Sequence, residues 1–299
     1  MKYATLIEFK RYLGTDETTD DLLLLDLLEW SSRWIDNYKG RSFDLKKKTM
    51  MYKPPLQVDT YPRIIDPTIM VGLTRPFPLR VKEDLLEVIS LTSGGSAIEG
   101  YSLEPLNEYP KNRIYFAGSY STGNICDVNT NLPTENISVE GWWGYNKDYP
   151  DCLVNSLDTV LEDISDTETA ILVTNINGTP ADLQTPRFQA GQLIKVEDEL
   201  MLIASTSIDA LYEDVHTLNV IRGYNGTTAV AHVATTPIYI YRVMTAIVTA
   251  CIRMTKWRYS QKDVDSYDST HILGSGVISI PSAIPADILM ILGAKNGGL

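Results

Sequence analysis

Apolar positions recur at helical spacing near both ends of the chain and in short alternating runs between them. At the start, Thr5 precedes Glu8 at capping-box spacing, and Gly14 supplies a stop, which predicts a short first helix. A longer helix follows in "TDETTDDLLLLDLLEWSSRWIDNYKG". Thr18 is its candidate cap, Asp20 and Asp21 suit the positive end of the helix dipole, and Lys39 and Gly40 close it. Leu24, Leu27, Leu28, Ser31, Trp34, Ile35 and Tyr38 fall on one side. Leu22, Leu23, Leu25 and Trp30 point elsewhere, so this helix requires apolar cover on more than one face, from its own core or from a neighbouring subunit.

Residues 41–150 lose the helical period. "LLEVISLTSGGSAI" reads as strand, Gly-Gly turn, strand; "NRIYFAG" and "NISVEGWWGYN" read as further strands. Lys46, Lys47 and Lys48 form a basic run, read as an edge strand or solvated loop, with contact to passing DNA or an acidic partner as the alternative. Residues 151–242 carry short alternating runs rich in β-branched residues, "TETAILVTNI", "GQLIKVEDELMLIAS", "TLNVIRG" and "TPIYIYRV", which predict a small antiparallel barrel or sandwich. Helical spacing returns in "VMTAIVTACIRMTKWRY" and again in "SAIPADILMILGAK", where Pro285 opens the last helix and Gly293 ends it. The expected fold class is α+β. A helical domain with a central β segment, residues 1–150 and 243–299, is interrupted by an inserted all-β domain at 151–242.

Composition narrows the function. The 299-residue chain is 44% hydrophobic and 21% charged, ordinary for a folded protein, and its net charge is −12. So acidic a chain is a poor candidate for gripping nucleic acid through its phosphates, though an acidic surface repels DNA passing close by. Cys126, Cys152 and Cys251 include no CxxC pair, which argues against a disulfide framework or zinc knuckle and for buried thiols in a reducing cytoplasm. The start lacks the apolar core of a signal peptide, and the stretch 238–252 is interrupted by Arg242 and too short to span a bilayer, so no membrane is expected.

Chemistry-bearing motifs are sparse. The chain has no Gly-x4-Gly-Lys-Ser/Thr phosphate loop and no Gly-x-Ser-x-Gly elbow, and His216, His232 and His271 lack metal-ligand spacing. "VIRGYNGTTAVAH" carries two glycines, but Asn225-Gly226 between two alternating runs reads as a tight hairpin turn. Arg222, Gly223, Asn225, Gly226, Thr227 and His232 are then hairpin residues, with Arg222 and His232 tying strands together. Strand spacing puts Glu197 and Glu199 on one solvated face. No catalytic residue, cofactor or metal is expected, and the chain reads as a non-enzyme. A hydrolase with an unrecognised acidic pair in a cleft is a rival.

The order of several segments resembles the head–tail connector (adaptor) family of tailed bacteriophages. The opening helices end in a turn with Tyr38, Gly40, Arg41 and Phe43; "RPFPLRVKEDLLEVISLTSGG" leads to Tyr101, Leu103 and Pro105; "ISVEGWWGY" and the Pro-initiated "IPADILMILGAK" follow in order. The insert resembles a small β module of phage tail and neck proteins, matching at Arg222, Gly223, Gly226, Thr227, Ala229 and His232. The resemblance implies a structural virion protein assembled in the host cytoplasm. It would form a homo-oligomeric, usually twelve-fold ring under the portal, extending the DNA channel and providing the tail attachment site in the neck.

Its implied partners are its own copies, the portal protein, tail or neck proteins, and DNA sliding through without specific binding. A closed ring needs heterologous interfaces, each burying roughly 1,600 Å² or more. The candidate ring-interface residues are Leu22, Leu23, Trp30, Trp34 and Trp257, on the long first-half helix and the Ala/Thr-rich helix at 243–259. The candidate portal contacts are Ile288, Leu289, Ile291 and Leu292, within the segment 284–299. The alternative function is a tail or baseplate module that grips a host glycan through its β domain, using Tyr212, Tyr224, Tyr239 and Tyr241.

Overall fold

The computed structural model describes residues 1–53, 78–116, 136–208, 215–262, 270–271, 278–279 and 284–293. The chain divides into two compact units, one made of Met1–Asp44 with Pro150–Leu299 and the other of Leu45–Tyr149. The described residues are mostly β, with two six-stranded antiparallel sheets and four α-helices. This overturns the α+β expectation of a helical connector domain carrying a β segment and an inserted domain. Among the described residues helical structure covers four stretches, and those within 45–149 build a sheet and core of their own.

In that second unit the strands are β1 (Lys46–Tyr52), β2 (Pro78–Ser93), β3 (Ser96–Ala97), β4 (Tyr101–Glu104), β5 (Lys111–Phe116) and β6 (Ile137–Trp143). They run in the order β1-β6-β2-β5-β4, with β3 folded back on β2 through Gly94 and Gly95. Leu85, Leu91, Ile114, Ile137, Val139 and Trp143 fill one face, and the Trp143 indole N–H donates to Lys48 O at 2.9 Å. The basic run sits on β1 at the sheet edge, where Lys47 pairs with Glu140 (3.4 Å) and Lys48 pairs with Glu83. Lysines on an edge strand discourage pairing with another chain.

The first unit carries helices α1 (Leu6–Leu13), α2 (Asp21–Lys39), α3 (Thr245–Tyr259) and α4 (Ala286–Leu292). Its strands are β7 (Leu153–Thr159), β8 (Ala170–Val173), β9 (Leu193–Val196), β10 (Glu199–Ile208), β11 (His216–Ile221) and β12 (Pro237–Tyr241). The sheet order is β7-β12-β9-β10-β11-β8, and the Leu161 N–H, just past β7, donates to Leu172 O on β8, joining the two edges. Val160, Ile171, Ile194, Ile203, Leu218 and Ile240 are among the side chains packed inside. The short pair Thr270–His271 with Ile278–Ser279 completes the described strands.

Local chemistry explains the helix ends. α1 has the capping box its sequence predicts: the Glu8 N–H donates to Thr5 Oγ1 (3.1 Å), the Thr5 N–H donates to Glu8 Oε2 (2.7 Å), and Gly14 takes φ 71°. α2 starts later than Thr18, with Asp20 at its N-cap, because the Asp20 carboxylate accepts from Tyr259 and Lys262 near the end of α3 instead of capping. α2 buries Leu24, Leu28, Ser31, Ser32 and Ile35, and small residues let α3 come close. Ser31 Oγ lies 2.8 Å from Thr255 Oγ1, and Ser32 Oγ lies 3.5 Å from Cys251 Sγ. The Ala/Thr-rich helix α3, a sequence candidate for an intersubunit surface, turns Ala250, Cys251 and Thr255 inward and leaves Thr245, Ala246 and Thr249 exposed. Burial pushes the Cys251 thiol up to about 11; Cys152 is also buried and in no disulfide, and Cys126 lies outside the described residues.

The sheet of this unit is tied to its helices. Thr5 Oγ1 donates to Gln189 Oε1 (2.7 Å), Arg11 Nη2 donates to Thr185 O (2.7 Å), and the Tyr241 hydroxyl donates to Phe43 O (2.9 Å). Among the described residues no helix is long and apolar enough to cross a membrane.

Gly141 of β6 sits between β1 and β2, where an added Cβ would lie 2.2 Å from Glu87 O. Gly141→Ala forces backbone to move and is expected to destabilise the sheet of residues 45–149 by about 1–3 kcal/mol, read as a lower midpoint in urea unfolding.

Candidate functional site

Two features of the first unit stand out, a buried ionic knot under "RGYNGTTAVAH" and an apolar stripe on α2. The knot centres on Glu199, the first residue of β10, whose side chain is fully buried. The two-residue turn Glu197-Asp198 links β9 to β10, with Glu197 in the left-handed region (φ 51°). That turn separates the two glutamates: Glu197 remains exposed and Glu199 goes inside, which corrects the expectation of one solvated face.

Five donors meet the Glu199 carboxylate. Arg222 Nε (2.8 Å) and the Gly223 N–H (2.9 Å) donate to Oε1. Arg222 Nη2 (2.9 Å), the Val230 N–H (3.1 Å) and His232 Nε2 (3.0 Å) meet Oε2. Burial alone would raise this carboxyl, but the bonds from Arg222, Gly223, His232 and Val230 outweigh it and hold it at about 2. His232 Nδ1 faces Glu197 Oε2 at 2.8 Å, so the ring lies between two carboxylates.

Arg222 is equally committed. Besides Glu199, its Nη2 donates to Val230 O (2.6 Å) and its Nη1 to Ser165 O (2.8 Å) and Glu168 O (2.7 Å). Those bonds use all five guanidinium N–H groups. The Gly223 and Val230 N–H groups are also spent on Glu199, so neither they nor Arg222 is left to grip a phosphate.

The loop is also not the β-hairpin its sequence predicts. β11 ends at Ile221, Tyr224–Gly226 make a single 3-10 turn, and the return arm forms an isolated bridge from His232 to Ile164. The reason is a long-range contact: Glu199 takes the Gly223 and Val230 N–H groups that a hairpin ladder would need. Gly223 has φ 58°, and an added Cβ would lie 3.1 Å from Thr227 O. Thr227 Oγ1 accepts from the Leu200 N–H (3.0 Å) and donates to Tyr224 O (2.9 Å), pinning the turn to β10. Burial raises the Tyr224 phenol, with the Asp44 carboxylate adding to it.

A second knot had no sequence signal. Asp158, at the end of β7, accepts from the Thr159 (2.9 Å), Thr174 and Asn175 (both 3.2 Å) N–H groups and from Arg187 Nη1 (2.5 Å). Like the first, it fixes loops to the sheet. Among the described residues no group of three or more His, Cys, Asp or Glu side chains could hold a metal ion.

The remaining sequence candidates separate. Leu22 is 80% exposed, and Leu23 and Trp30 are exposed beside it on α2. Trp34 is half-buried and stacks on Tyr38, with centroids 5.1 Å apart. Trp257 on α3 is half-buried, while its neighbour Arg258 lies over the Trp30 ring at 5.3 Å. On α4, Ile288 and Leu292 are buried, which removes them as freely available portal contacts; Leu289 and Ile291 are half-buried. Met290, which sequence reasoning passed over, is the exposed side chain of that helix at 75%. Of the tyrosines considered for glycan stacking, Tyr241 is buried, Tyr224 and Tyr239 are half-buried, and Tyr212 lies outside the described residues. Residues 294–299 of the portal-facing segment also lie outside them.

Comparison with protein-family models and with curated proteins gave no match.

The depressed Glu199 carboxyl has a pH signature. It contributes stability above its unfolded value near 4.5, and loses it as pH falls towards about 2. Thermal unfolding followed between pH 5 and 2 should show this loss. Glu199→Gln leaves the Arg222 guanidinium buried without its counter-charge, so it should cost about 3–5 kcal/mol at pH 7 and flatten the acid limb.

Proposed function

We propose that this chain is a structural virion protein of the head–tail junction, assembling as a ring of copies under the portal, continuing the DNA channel and offering the tail its attachment site. One observation carries the reading: α2 leaves Leu22 80% exposed, with Leu23 and Trp30 beside it. Exposed apolar residues grouped on one helix favour burial against another surface. The ordered segments that resemble the adaptor family point to the same assembly role, although the fold is a pair of β sheets with helices rather than that family's helical domain.

The loop that most resembles a ligand site supports a structural reading. Its charged donors and acceptors satisfy one another, so the knot holds shape and recruits no substrate. The net charge of −12 suits a wall past which DNA slides.

Assembly is measured by native mass across concentration, alone and with a matching portal ring. The wild-type chain should form a closed oligomer, alone or on the portal. Leu22→Asp with Leu23→Asp should reduce it to monomer while its unfolding midpoint is kept, since both side chains are exposed. A wild-type chain that never joins a portal overturns the reading. Duplex DNA should bind weakly and only at low salt; tight binding would count against a sliding channel.

A further inference from the structure

On the outer face of the sheet of residues 45–149, two arginines stand directly opposite each other. The register of β2 against β5 pairs Leu79 with Ile114 and Arg80 with Arg113. Leu79 and Ile114 are buried, so strand alternation turns Arg80 and Arg113 together to the other side, and both are exposed. Side chains placed in this way leave the backbone about 5 Å apart, and like charges directly opposite are destabilising. The next strand continues the row, because β4 pairs Glu104 with Arg113. The neighbouring row on the same face is Pro78, Tyr115 and Ser102. Lys82, two residues beyond Arg80 on β2, is exposed as well.

Carboxylates are in surplus in this chain, yet none relieves the pair. Lys10 meets Asp21, Lys47 meets Glu140 and Lys48 meets Glu83. Among the described residues, neither Arg80 nor Arg113 has an ion pair or hydrogen bond through its guanidinium, and Glu104 makes no ion pair with Arg113 across the strands. A chain of net charge −12 that stations two guanidinium groups together, at a cost in stability, breaks a local rule. Such breaks belong to functional sites, where a ligand supplies the compensation.

We propose that Arg80 and Arg113 bind a phosphate dianion, free or as a monoester, between their guanidinium groups. The planar guanidinium fork matches phosphate oxygens two at a time. A tetrahedral dianion offers oxygens to both forks at once and cancels both charges. A single carboxylate would cancel only one, and Glu104 already places one in the row. Rows on one face of a strand lie roughly 7 Å apart, so the Tyr115 and Ser102 hydroxyls stand one row away as further donors, and Lys82 adds positive charge along β2. The site belongs to the second unit and does not depend on the assembly proposed above.

The test uses the full-length chain with inorganic phosphate and O-phosphoserine as probes, at about pH 7.5, where a monoester with its second pKa near 6 is doubly charged. Sodium chloride holds the ionic strength constant. Phenylglyoxal modification of wild type, mapped by peptide mass, should slow about fivefold or more at Arg80 and Arg113 when phosphate saturates, while the exposed Arg253 on α3 keeps its rate. Phosphorus NMR line broadening then gives each anion's Kd. Arg113→Gln should weaken it about tenfold or more. Glu104→Gln, which removes the carboxylate of the row, should tighten it about twofold, a sign that loss of folding would not produce. Binding of both probes marks a site for phosphate itself, and binding of phosphoserine alone marks a site for monoesters. If phosphate protects Arg80 and Arg113 no better than chloride does, or protects Arg253 equally, the site is overturned. It is overturned too if Arg113→Gln binds as wild type does.

Discussion

A single buried carboxylate organises the sheet of the first unit. Glu199 sits where β10 begins, and five donors from the loop between β11 and β12 converge on it. A buried charge is tolerated only when it is paired and hydrogen-bonded, so those donors have little freedom to do anything else. The loop cannot ladder into a hairpin, because its N–H groups are already used. Its guanidinium is saturated and so is not available to an anion. What it can do is present a rigid outer surface, and Val230 and Val233 stand on that surface.

The helices serve the same unit in a complementary way. Small side chains where α2 meets α3 bring the two axes together and bury Ala250, Cys251 and Thr255 of α3. Cover for α2 from α3 is consequently one-sided. Leu24, Leu28 and Ile35 are inside while Leu22, Leu23 and Trp30 remain outside. The side chains of Ile288 and Leu292 are spent in holding α4 in place.

Much of this was legible from local rules, and the failures share one cause. The Thr5–Glu8 capping box, the Gly14 stop and the inward face of α2 follow from residue type and spacing, because backbone hydrogen bonds within a few residues decide them. The fold class was not legible, because strands such as Lys46–Tyr52 lack clean alternation and gain their definition only from pairing with β6. Glu197 and Glu199 were placed on one face by a period-two rule that holds only inside a strand, and a tight turn falls between them. Asn225-Gly226 does bend the chain, with φ values of 50° and 87°, but what the return arm does is set by a glutamate more than twenty residues away. The α2 stripe could be seen in sequence as surplus leucine and tryptophan.

Averaged electron-microscope images of the purified chain mixed with a matching portal ring give the most direct view of the central claim, that this protein works by closing copies of itself into a ring. The account predicts an added, coaxial ring of density with an open channel on one face of the portal. Bare portal rings beside scattered single copies, at concentrations well above micromolar, would contradict it.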